Sequence, residues 1–512
     1  MLRWGAALAV TLAIVACNSG DTEGERSDER PPVVLVIFDE FPTDSLLAPG
    51  GEIDAARYPN FAELASISTW FPNGYTVYDS TFKSVPAILD ARLPARGTAA
   101  DVRSHKPSVY HLMDRLGYEV FKVESASAVC PPDICTGTRT RRPGVLARLG
   151  GLGRPARFHK WLGAIRQRGR PGFYVHHALL PHEPWLYLPS GRRNRPGGND
   201  PIHGINKTPA FDDLELTRHN RLRHLLQVGY VDLELGRLLR RLRRTGLLEE
   251  ALIVVVADHG YSFDLNVDSR RLVTEANVEE VATVPFFVKA PGQTEGRLDP
   301  SLVRTVDVVP TIAELLNTEV HWRHDGASVF SKEARERKRI ALRTRDFRRV
   351  VRIGRPELDR RRAANRRRWA ALYGTGLHSL LLFGDPWAAA YRIGPHRELL
   401  DRRVASLPTL PREDIRAEVR NGALLANVSP TAPLYPTRLT GRLLNAPSGK
   451  ERDVAAAVNG RIRALTRSFH LWRADREYYS MVVPESALRA GANRVELFEV
   501  RRGRALVPLS AP

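Results

Sequence analysis

The sequence predicts an α/β fold in which a central, mostly parallel sheet is flanked by helices. Three apolar runs, PPVVLVIFDE at 31–40, GFYVHHALLPHEPW at 172–185 and LIVVVADHG at 252–260, each lead into charged or imidazole side chains. Such runs are typical of parallel strands covered on both faces. Between the second and third runs, residues 222–246 carry apolar side chains at three- and four-residue spacing and end in glycine, which predicts a helix. Strands that alternate with helices favour this fold class.

The first and third runs predict a metal site where their strands end. Asp39 and Glu40 follow the first run, and Asp258 and His259 follow the third. In folds of this kind, functional residues lie beyond the carboxyl ends of strands, so neighbouring strands would bring these groups together. Oxygen donors with one nitrogen suit Zn²⁺, Mn²⁺ or Mg²⁺, whereas an all-oxygen cage would favour Ca²⁺. We expect one divalent ion, with zinc or manganese favoured.

Composition divides the chain into five segments. The α/β pattern continues through PFFVKAPG and SLVRTVDVVPTIAELLN, a further strand and helix, to about Phe330. An arginine-rich stretch, expected to be partly strand and partly helix, comes next, and short alternating stretches such as GALLANVS, AAVNGRIRAL and YYSMVVP then predict a β-sandwich. The expected segments are a signal peptide (1–17), a linker (18–31), a catalytic domain (32–330), an arginine-rich extension (331–407) and a β-sandwich module (408–512).

The first residues indicate export. Arg3 and an apolar stretch from Ala6 to Ala16 have the outline of a signal peptide. Because Cys17 follows Ile14-Val15-Ala16, the segment is similar to a bacterial lipobox, and Cys17 would become a lipid-modified N-terminus. The alternative is an ordinary signal peptide with an incidental cysteine. The prediction is an exported bacterial lipoprotein, anchored to a membrane and facing the periplasm or the cell exterior.

An exported chain also allows a disulfide between its other two cysteines. Cys130 and Cys135 stand in CPPDIC and would close a small loop. A zinc knuckle would need two further ligands nearby, and the adjacent sequence offers none.

The charge balance suggests an anionic partner. The chain has 77 Lys and Arg against 57 Asp and Glu, a net charge of +20. Export argues against nucleic acid, whereas an anionic envelope lipid or glycan fits both observations. A general arginine bias would produce the same excess, so charge alone assigns no function.

Several motifs in order resemble those of the alkaline phosphatase and sulfatase superfamily. They are VVLVIFDEF, RYPNFAELASISTWFPNGYT, STFKSVPAILDARLP, PHEPW, ADHG, and VDVVPTIAELLN with HDGASVF, between about residues 32 and 330. The resemblance implies an alkaline phosphatase-like catalytic domain that acts as a metal-dependent hydrolase or phosphotransferase.

The resemblance places Thr81 at the nucleophile position. Sulfatases make a formylglycine there from Cys or Ser in C/S-x-P-x-R, but in this chain Lys83 and Val85 replace the proline and the arginine. A threonine before a Ser-Val-Pro run resembles phosphoethanolamine transferases, and phosphoglycerol transferases also use threonine, which implies a phosphothreonine intermediate. Ser80 and Ser84 are the alternative hydroxyls.

The same resemblance implies roles for the other site residues. His182 would contact the charged oxygens or the leaving group of the substrate, and Lys83 would either approach the transferred group or face solvent. No histidine follows Asp258-His259 before His321, so a two-zinc site is not expected. Arg270 and Arg271 would supply positive charge by binding phosphate oxygens. The implied metal ligands are Asp39, Thr81, Asp258 and His259, with Glu40 as a further ligand or a supporting group.

The sequence therefore predicts a metal-dependent, sulfatase-like phosphoester hydrolase or transferase that uses Thr81 on an envelope lipid or glycan. Two alternatives remain open: a sulfuric ester hydrolase with an unusual nucleophile, and a non-catalytic protein of the same fold that binds glycan or assists envelope assembly.

Overall fold

A seven-stranded sheet forms the centre of the molecule. The structure, a computed structural model, describes residues 30–135, 151–197, 213–265, 270–471 and 476–509. Cys17 and the expected signal peptide lie outside these residues. In spatial order the strands are β3 (Glu119–Val123), β4 (Gly172–Pro181), β1 (Val33–Asp39), β5 (Leu252–Ala257), β6 (Phe286–Lys289), β2 (Thr69–Trp70) and β7 (Arg297–Leu298).

β1 is the central parallel strand that the sequence predicts. It pairs in parallel with β4 on one side and β5 on the other, with Ile37 opposite His177 and Phe38 opposite Ala257. All seven of its residues are buried, as an unbroken apolar run requires. β3 is parallel to β4, whereas β6 is antiparallel to β5, so the sheet is mixed but mostly parallel.

Helices cover both faces of this sheet. Val34, Val36 and Phe38 of β1 face one apolar core, and Val33, Leu35 and Ile37 face the other. The first core includes residues of α1 (Pro59–Ser66), α4 (Arg154–Ala164) and α5 (Leu214–Arg244), and the second includes residues of α2 (Thr81–Asp90), α3 (Val109–Arg115) and α7 (Val308–Leu315).

The predicted helix at 222–246 exists but begins earlier, at Leu214. The side chain of Asp213 accepts a hydrogen bond from the backbone N–H of Leu216 at 2.7 Å and so caps the helix. The first turns, LELTRHN, are largely polar, so apolar periodicity alone does not detect where the helix begins.

The arginine-rich segment contains both strand and helix, as expected. β8 (Arg339–Arg343) and β9 (Val350–Gly354) form an antiparallel pair that leads into α9 (Arg355–Tyr373). The other short elements are the helices α6 (Val278–Ala282), α8 (Lys332–Arg335) and α10 (Gly376–Phe383), and 3-10 turns at Thr43–Ser45, Thr305–Asp307, Ala388–Tyr391, Arg397–Leu399, Val404–Ser406, Gly422–Ala426, Glu485–Ala487 and Arg502–Arg504.

Two four-stranded antiparallel sheets form the C-terminal region. Leu439 and Met481 of one sheet share a core with Ala456 and Leu497 of the other, which makes the pair a sandwich. The sheets are β10 (Arg416–Ala417), β11 (Arg438–Leu444), β15 (Arg476–Val482) and β14 (Phe469–Leu471), and β13 (Arg461–Arg467), β12 (Asp453–Val458), β16 (Val495–Val500) and β17 (Leu506–Pro508).

One stretch used for the sandwich prediction, GALLANVS, is not a strand. Asn421 has a φ of 59° and accepts a hydrogen bond from the backbone N–H of Leu424, so the chain turns into a 3-10 helix over Gly422–Ala426. Of the residues in this turn, only Leu425 is buried. The expectation of a strand was wrong because the Asn-Gly turn outweighs the alternation of side chains.

Two further predictions concern the cysteines and the membrane. The structure joins Cys130 and Cys135 in a disulfide bond, and both lie in the core that contains α3. Among the described residues, no helix combines the length and apolar character needed to cross a membrane.

Candidate active site

The ends of β1 and β5 bring two carboxylates to one edge of the sheet. Asp258 Oδ1 accepts hydrogen bonds from the backbone N–H groups of Glu40 at 3.2 Å and His259 at 2.7 Å. Glu40 has a φ of 59°, a conformation that non-glycine residues rarely adopt. The Asp258 carboxylate thus helps hold the backbone in the turn that directs Asp39 and Glu40 into the site.

The hydroxyl of Thr81 lies at this edge because α2 begins there. Thr81 is the first residue of α2, and the helix packs through Val85 and Ile88 in the core that contains Ile37 of β1. Thr81 Oγ1 lies 3.4 Å from Asp39 Oδ1 and 3.2 Å from His259 Nε2. The predicted nucleophile therefore contacts two of the predicted metal ligands.

His259 is oriented by its own backbone. Its Nδ1 lies 2.9 Å from the carbonyl oxygen of Gly260, so in the neutral ring Nδ1–H donates and Nε2 keeps a lone pair. Burial lowers the pKa of His259 to about 4, which keeps the ring neutral at neutral pH. The lone pair that faces Thr81 is suited to hold a cation.

His177 is a third donor at the same edge, and it was not among the predicted site residues. It lies on β4, and its Nε2 is 3.6 Å from Asp39 Oδ2. Donor atoms of Asp39, His177 and Asp258 all lie within 4.8 Å of one another. The neighbouring His176 instead packs against Phe158 and Trp161, on the other side of the strand.

The polar atoms of this group fit a divalent ion. Asp39 Oδ2, Asp258 Oδ2 and both ring nitrogens of His177 are buried and have no hydrogen-bond partner among the described residues. Buried polar atoms without partners are costly, and a cation bound by oxygen and imidazole donors would satisfy them together. Burial and the charge of Asp39 raise the pKa of Asp258 well above its usual range, a repulsion that a cation would relieve.

Glu40 belongs to an adjoining cluster of opposite charges. Its Oε1 accepts a hydrogen bond from Arg270 Nε at 2.9 Å and lies 3.1 Å from Arg271 Nε. Burial alone would raise the pKa of Glu40, but Arg270, His182 and Arg271 lower it to about 2. Donors of Asp39, Glu40 and His182 also lie within 4.8 Å of one another. Because the two guanidinium groups already supply positive charge there, the group with His177 is the better place for one ion.

The two predicted substrate-binding arginines are therefore present in the site, held by carboxylates. Arg270 is buried and also contacts Glu183, with 2.9 Å between NH2 and Oε1. Arg271 retains an exposed fraction of 20% in its side chain. Arg271 is thus the more accessible of the two to an entering anion.

His182 reaches the site from the segment after β4. Its Nε2 lies 3.6 Å from Glu40 Oε1, and its Nδ1 lies 2.5 Å from the carbonyl oxygen of Glu183. The buried guanidinium of Arg154 donates to the carbonyl oxygens of His182 and Glu183, and Gln227 Nε2 donates to that of Pro181 at 2.9 Å. Arg154 and Gln227, which were not predicted, hold this segment in place.

The structure does not bring Lys83 to the hydroxyl of Thr81. Its Nζ donates to the carbonyl oxygens of Ala95 at 2.8 Å and Thr98 at 2.5 Å, and to Thr98 Oγ1 at 2.7 Å. Lys83 therefore stabilises the loop after α2. The alternative hydroxyl of Ser84 is also engaged, since it donates to the carbonyl oxygen of Tyr78 at 2.8 Å.

A segment of the chain matches a known family. Residues 156–318, which include β4, β5 and the Asp258-His259 pair, match the family model described as Sulfatase. This segment of the chain is therefore similar to sulfatases. Members of the sulfatase family generally depend on a divalent metal, and the group of Asp39, His177 and Asp258 provides a place for one.

Named relatives that the chain resembles are sulfatases. A choline-sulfatase of Rhizobium meliloti is 23% identical over 381 residues, covering 59% of this chain and 71% of the relative. Human N-acetylglucosamine-6-sulfatase is 29% identical over 181 residues, which are 31% of each chain. Together with the family model, these relatives indicate a hydrolytic enzyme.

A solved structure from Bacteroides fragilis, described as that of a candidate sulfatase, shares the fold. The TM-score is 0.50 at 13% identity, over 73% of this chain and 100% of that chain. This likeness supports the fold class.

Proposed function

We propose that the protein is a metal-dependent phosphoester hydrolase or transferase in which Thr81 is the nucleophile. The observation that carries this proposal is the position of Thr81 Oγ1, 3.4 Å from Asp39 Oδ1 and 3.2 Å from His259 Nε2, beside buried donors suited to one divalent ion. A threonine cannot be the source of a formylglycine made from Cys or Ser, so the common sulfatase nucleophile is not expected here.

The residues of the chain account for the steps of such a reaction. Thr81 Oγ1 forms a bond to phosphorus, and the bond from phosphorus to the ester oxygen breaks, so that the leaving group departs and takes a proton from water. Asp39 Oδ1 and His259 Nε2 are the acceptors in reach of the hydroxyl proton. When bound by Asp39, His177, Asp258 and His259, a divalent ion supplies positive charge that lowers the pKa of the hydroxyl. Water then releases the group from Thr81 in a hydrolase, and an acceptor hydroxyl takes it in a transferase.

Cationic and imidazole side chains beside Thr81 would bind the substrate. Arg271 has an exposed part, and its guanidinium is suited to the oxygens of a phosphoryl group. His182 would contact the transferred group or the leaving group through Nε2, because its Nδ1 is engaged by the carbonyl oxygen of Glu183. Arg270 acts through Glu40, which it holds in place.

The proposed substrate is an anionic lipid or glycan of the cell envelope. The lipobox-like Cys17 supports an exported, membrane-anchored protein facing the periplasm or cell exterior, and the net charge of +20 favours an anionic partner. Nucleic acid is not a proposed partner, because an exported protein is separated from the nucleic acid of the cytoplasm. Zinc or manganese is the proposed ion, since imidazole donors accompany the carboxylates.

Activity assays distinguish two alternative functions from the proposed phosphoester chemistry. A sulfuric ester hydrolase is favoured by the names of the relatives, and it would cleave aryl sulfates faster than aryl phosphodiesters. A non-catalytic protein that binds glycan or assists envelope assembly would cleave neither, with or without added metal.

The nucleophile is tested by replacing Thr81. Thr81→Ala is expected to lower kcat/KM for an aryl phosphodiester by at least about 10³-fold, because the atom that bonds to phosphorus is lost. Thr81→Ser keeps a hydroxyl and should retain measurable turnover. Mass spectrometry of acid-quenched protein should find a phosphoryl group at residue 81. Full turnover by Thr81→Ala would show that another group is the nucleophile.

A matched control is Ser84→Ala, which removes the neighbouring hydroxyl that binds Tyr78. This variant should keep turnover within about tenfold of the unmodified protein, since only a structural hydrogen bond is lost. A larger loss in Ser84→Ala than in Thr81→Ala would transfer the nucleophile role to Ser84.

A further inference from the structure

The helix α10 (Gly376–Phe383) buries its small residues and exposes its large apolar ones. Ser379 is fully buried, where its Oγ donates to the carbonyl oxygen of Asp385 at 2.6 Å and accepts from the backbone N–H of Ala389 at 2.9 Å. Gly376 donates its N–H to Asp54 Oδ2 at 2.7 Å. The exposed fractions are 62% for Leu377, 42% for Leu380, 76% for Leu381, 61% for Leu382 and 45% for Phe383.

This concentration of exposed apolar side chains is local. Of the twelve large apolar side chains that the described part of the chain exposes, five lie in the seven positions from Leu377 to Phe383. A contiguous apolar patch of this kind marks an interaction surface on a folded protein. Leu377, Leu381 and Leu382 are each more than 60% exposed, so most of their apolar surface is available to a partner.

The apolar side chains cover a wide arc of the helix, which suits insertion among lipid acyl chains. At about 100° per residue, Leu380, Leu377, Leu381 and Leu382 together span roughly 200° of the helix circumference. The groove or flat surface of a protein partner contacts one face of a helix, whereas the acyl chains of a membrane can surround most of it. Helices that lie in a membrane interface bury leucine and phenylalanine in this way.

The charges near the helix fit an anionic membrane. The stretch from Arg360 to Gly384 contains six arginines and no acidic residue. Arg360, Arg367 and Arg368 are exposed, and the guanidinium of Arg392 lies 5.5 Å from the ring centre of Phe383. Three of these arginines also pair with carboxylates of the chain: Arg360 with Glu357, Arg368 with Asp264 and Arg392 with Asp401. Basic side chains near an anionic leaflet are attracted to its headgroups.

We propose that α10 is a membrane-docking helix that inserts into the surface of an anionic lipid bilayer, with the exposed arginines of α9 on the headgroups. Arg57 fixes α10 to the catalytic domain, because its guanidinium binds the carbonyl oxygens of Tyr373 at 2.8 Å, Gly374 at 3.0 Å and Pro386 at 2.9 Å, on both sides of the helix. Arg57 lies in the connection that leaves β1 after Asp39. The helix is therefore held on the segment between β1 and α1, and docking is independent of which ester the site cleaves.

The test compares vesicle binding of three full-length proteins that all carry Cys17→Ser, so that no lipid is attached. One has no further change, one has Leu381→Ser with Leu382→Ser, and one has the control pair Leu298→Ser with Leu444→Ser, which are exposed by 60% and 39% outside α10. With vesicles of phosphatidylglycerol in phosphatidylcholine, the α10 pair should lower the partition coefficient at least about tenfold. The control pair should leave it within about twofold, and pure phosphatidylcholine should bind the unaltered protein more weakly.

A position-specific measurement completes the test. An environment-sensitive fluorophore on Leu381→Cys, again with Cys17→Ser, should shift to the blue on anionic vesicles and be quenched by lipids brominated in the acyl chains. A fluorophore that stays in water while the protein is bound would overturn the proposal. A dimer that dissociates on Leu381→Ser with Leu382→Ser would also overturn it, because a second copy would then be the occupant. Turnover of a soluble ester should be equal in all variants, which separates docking from catalysis.

Discussion

At the residue scale, the sequence identifies most of the groups that converge, but it leaves out one donor. Asp39, Thr81, Asp258 and His259 were predicted from motif order, and the structure brings them together. His177 was not, because His176 and His177 stand side by side in one apolar run. Because side chains alternate along a strand, the two histidines lie on opposite faces of the sheet. Only the pairing of His177 with Ile37 shows which histidine is on the same face as Asp39. That register depends on contacts between distant segments and has no local signal.

The role of His177 can be tested by metal binding. His177→Ala is expected to weaken zinc or manganese binding at least about tenfold, since loss of groups that merely orient a ligand already costs about 10–100-fold. Equilibrium dialysis followed by elemental analysis measures the affinity. His321→Asn, a change at an exposed histidine outside the site, is the matched control and should bind like the unmodified protein. Equal affinities in all three proteins would exclude His177 as a ligand.

At the element scale, α9 shows that arginines of one run can occupy different environments. From sequence it was predicted as part of an arginine-rich stretch of strand and helix, and its Arg360 is exposed. Arg362, two positions later, is buried and binds Asp44 Oδ1 at 2.7 Å, Asn73 Oδ1 at 2.6 Å and the carbonyl oxygen of Pro72 at 3.0 Å. Sequence alone cannot distinguish the two arginines, because their burial depends on which face of the helix packs against the domain.

This difference predicts unequal effects on stability. Arg362→Ala removes one partner of a buried ion pair, so the free energy of unfolding should fall by about 3–5 kcal/mol. Arg360→Ala removes an exposed pair with Glu357 on the same helix, and its effect should stay within about 0.5 kcal/mol. Urea unfolding followed by circular dichroism measures both. Equal losses would contradict the assignment of Arg362 as the residue that fixes α9.

At the scale of the whole molecule, the expected boundary between segments at 407 and 408 crosses continuous packing. Leu399, Leu400 and Leu407 share an apolar cluster with Leu465 and Leu506 of the sandwich. The sandwich also packs on the catalytic part, since Phe469 and Tyr478 cluster with Leu216 of α5. Composition predicts a change of architecture near residue 408, but it carries no information about which surfaces the two parts share.

This shared packing predicts coupled unfolding. Phe469→Ala should lower the free energy of unfolding by about 3–5 kcal/mol, as loss of a buried phenylalanine typically does. Seven of the eight tryptophans precede residue 408 and so lie outside the sandwich. If the two parts unfold together, tryptophan fluorescence should therefore report the lowered stability. Leu444→Ala, at a partly exposed position of β11, is the control and should change little. An unchanged fluorescence transition in Phe469→Ala would show that the two parts unfold independently.

The convergence of Asp39, His177 and Asp258 also decides when a metal can be acquired. The three residues come from β1, β4 and the end of β5, so no short piece of the chain carries more than one of them. An unfolded chain therefore offers no preformed chelating site, and ion binding follows sheet assembly. The proposed ion would therefore come from the compartment in which the chain completes its folding. Ion supply there would select among the metals that these donors accept, so protein folded where the ion supply differs should carry a different metal.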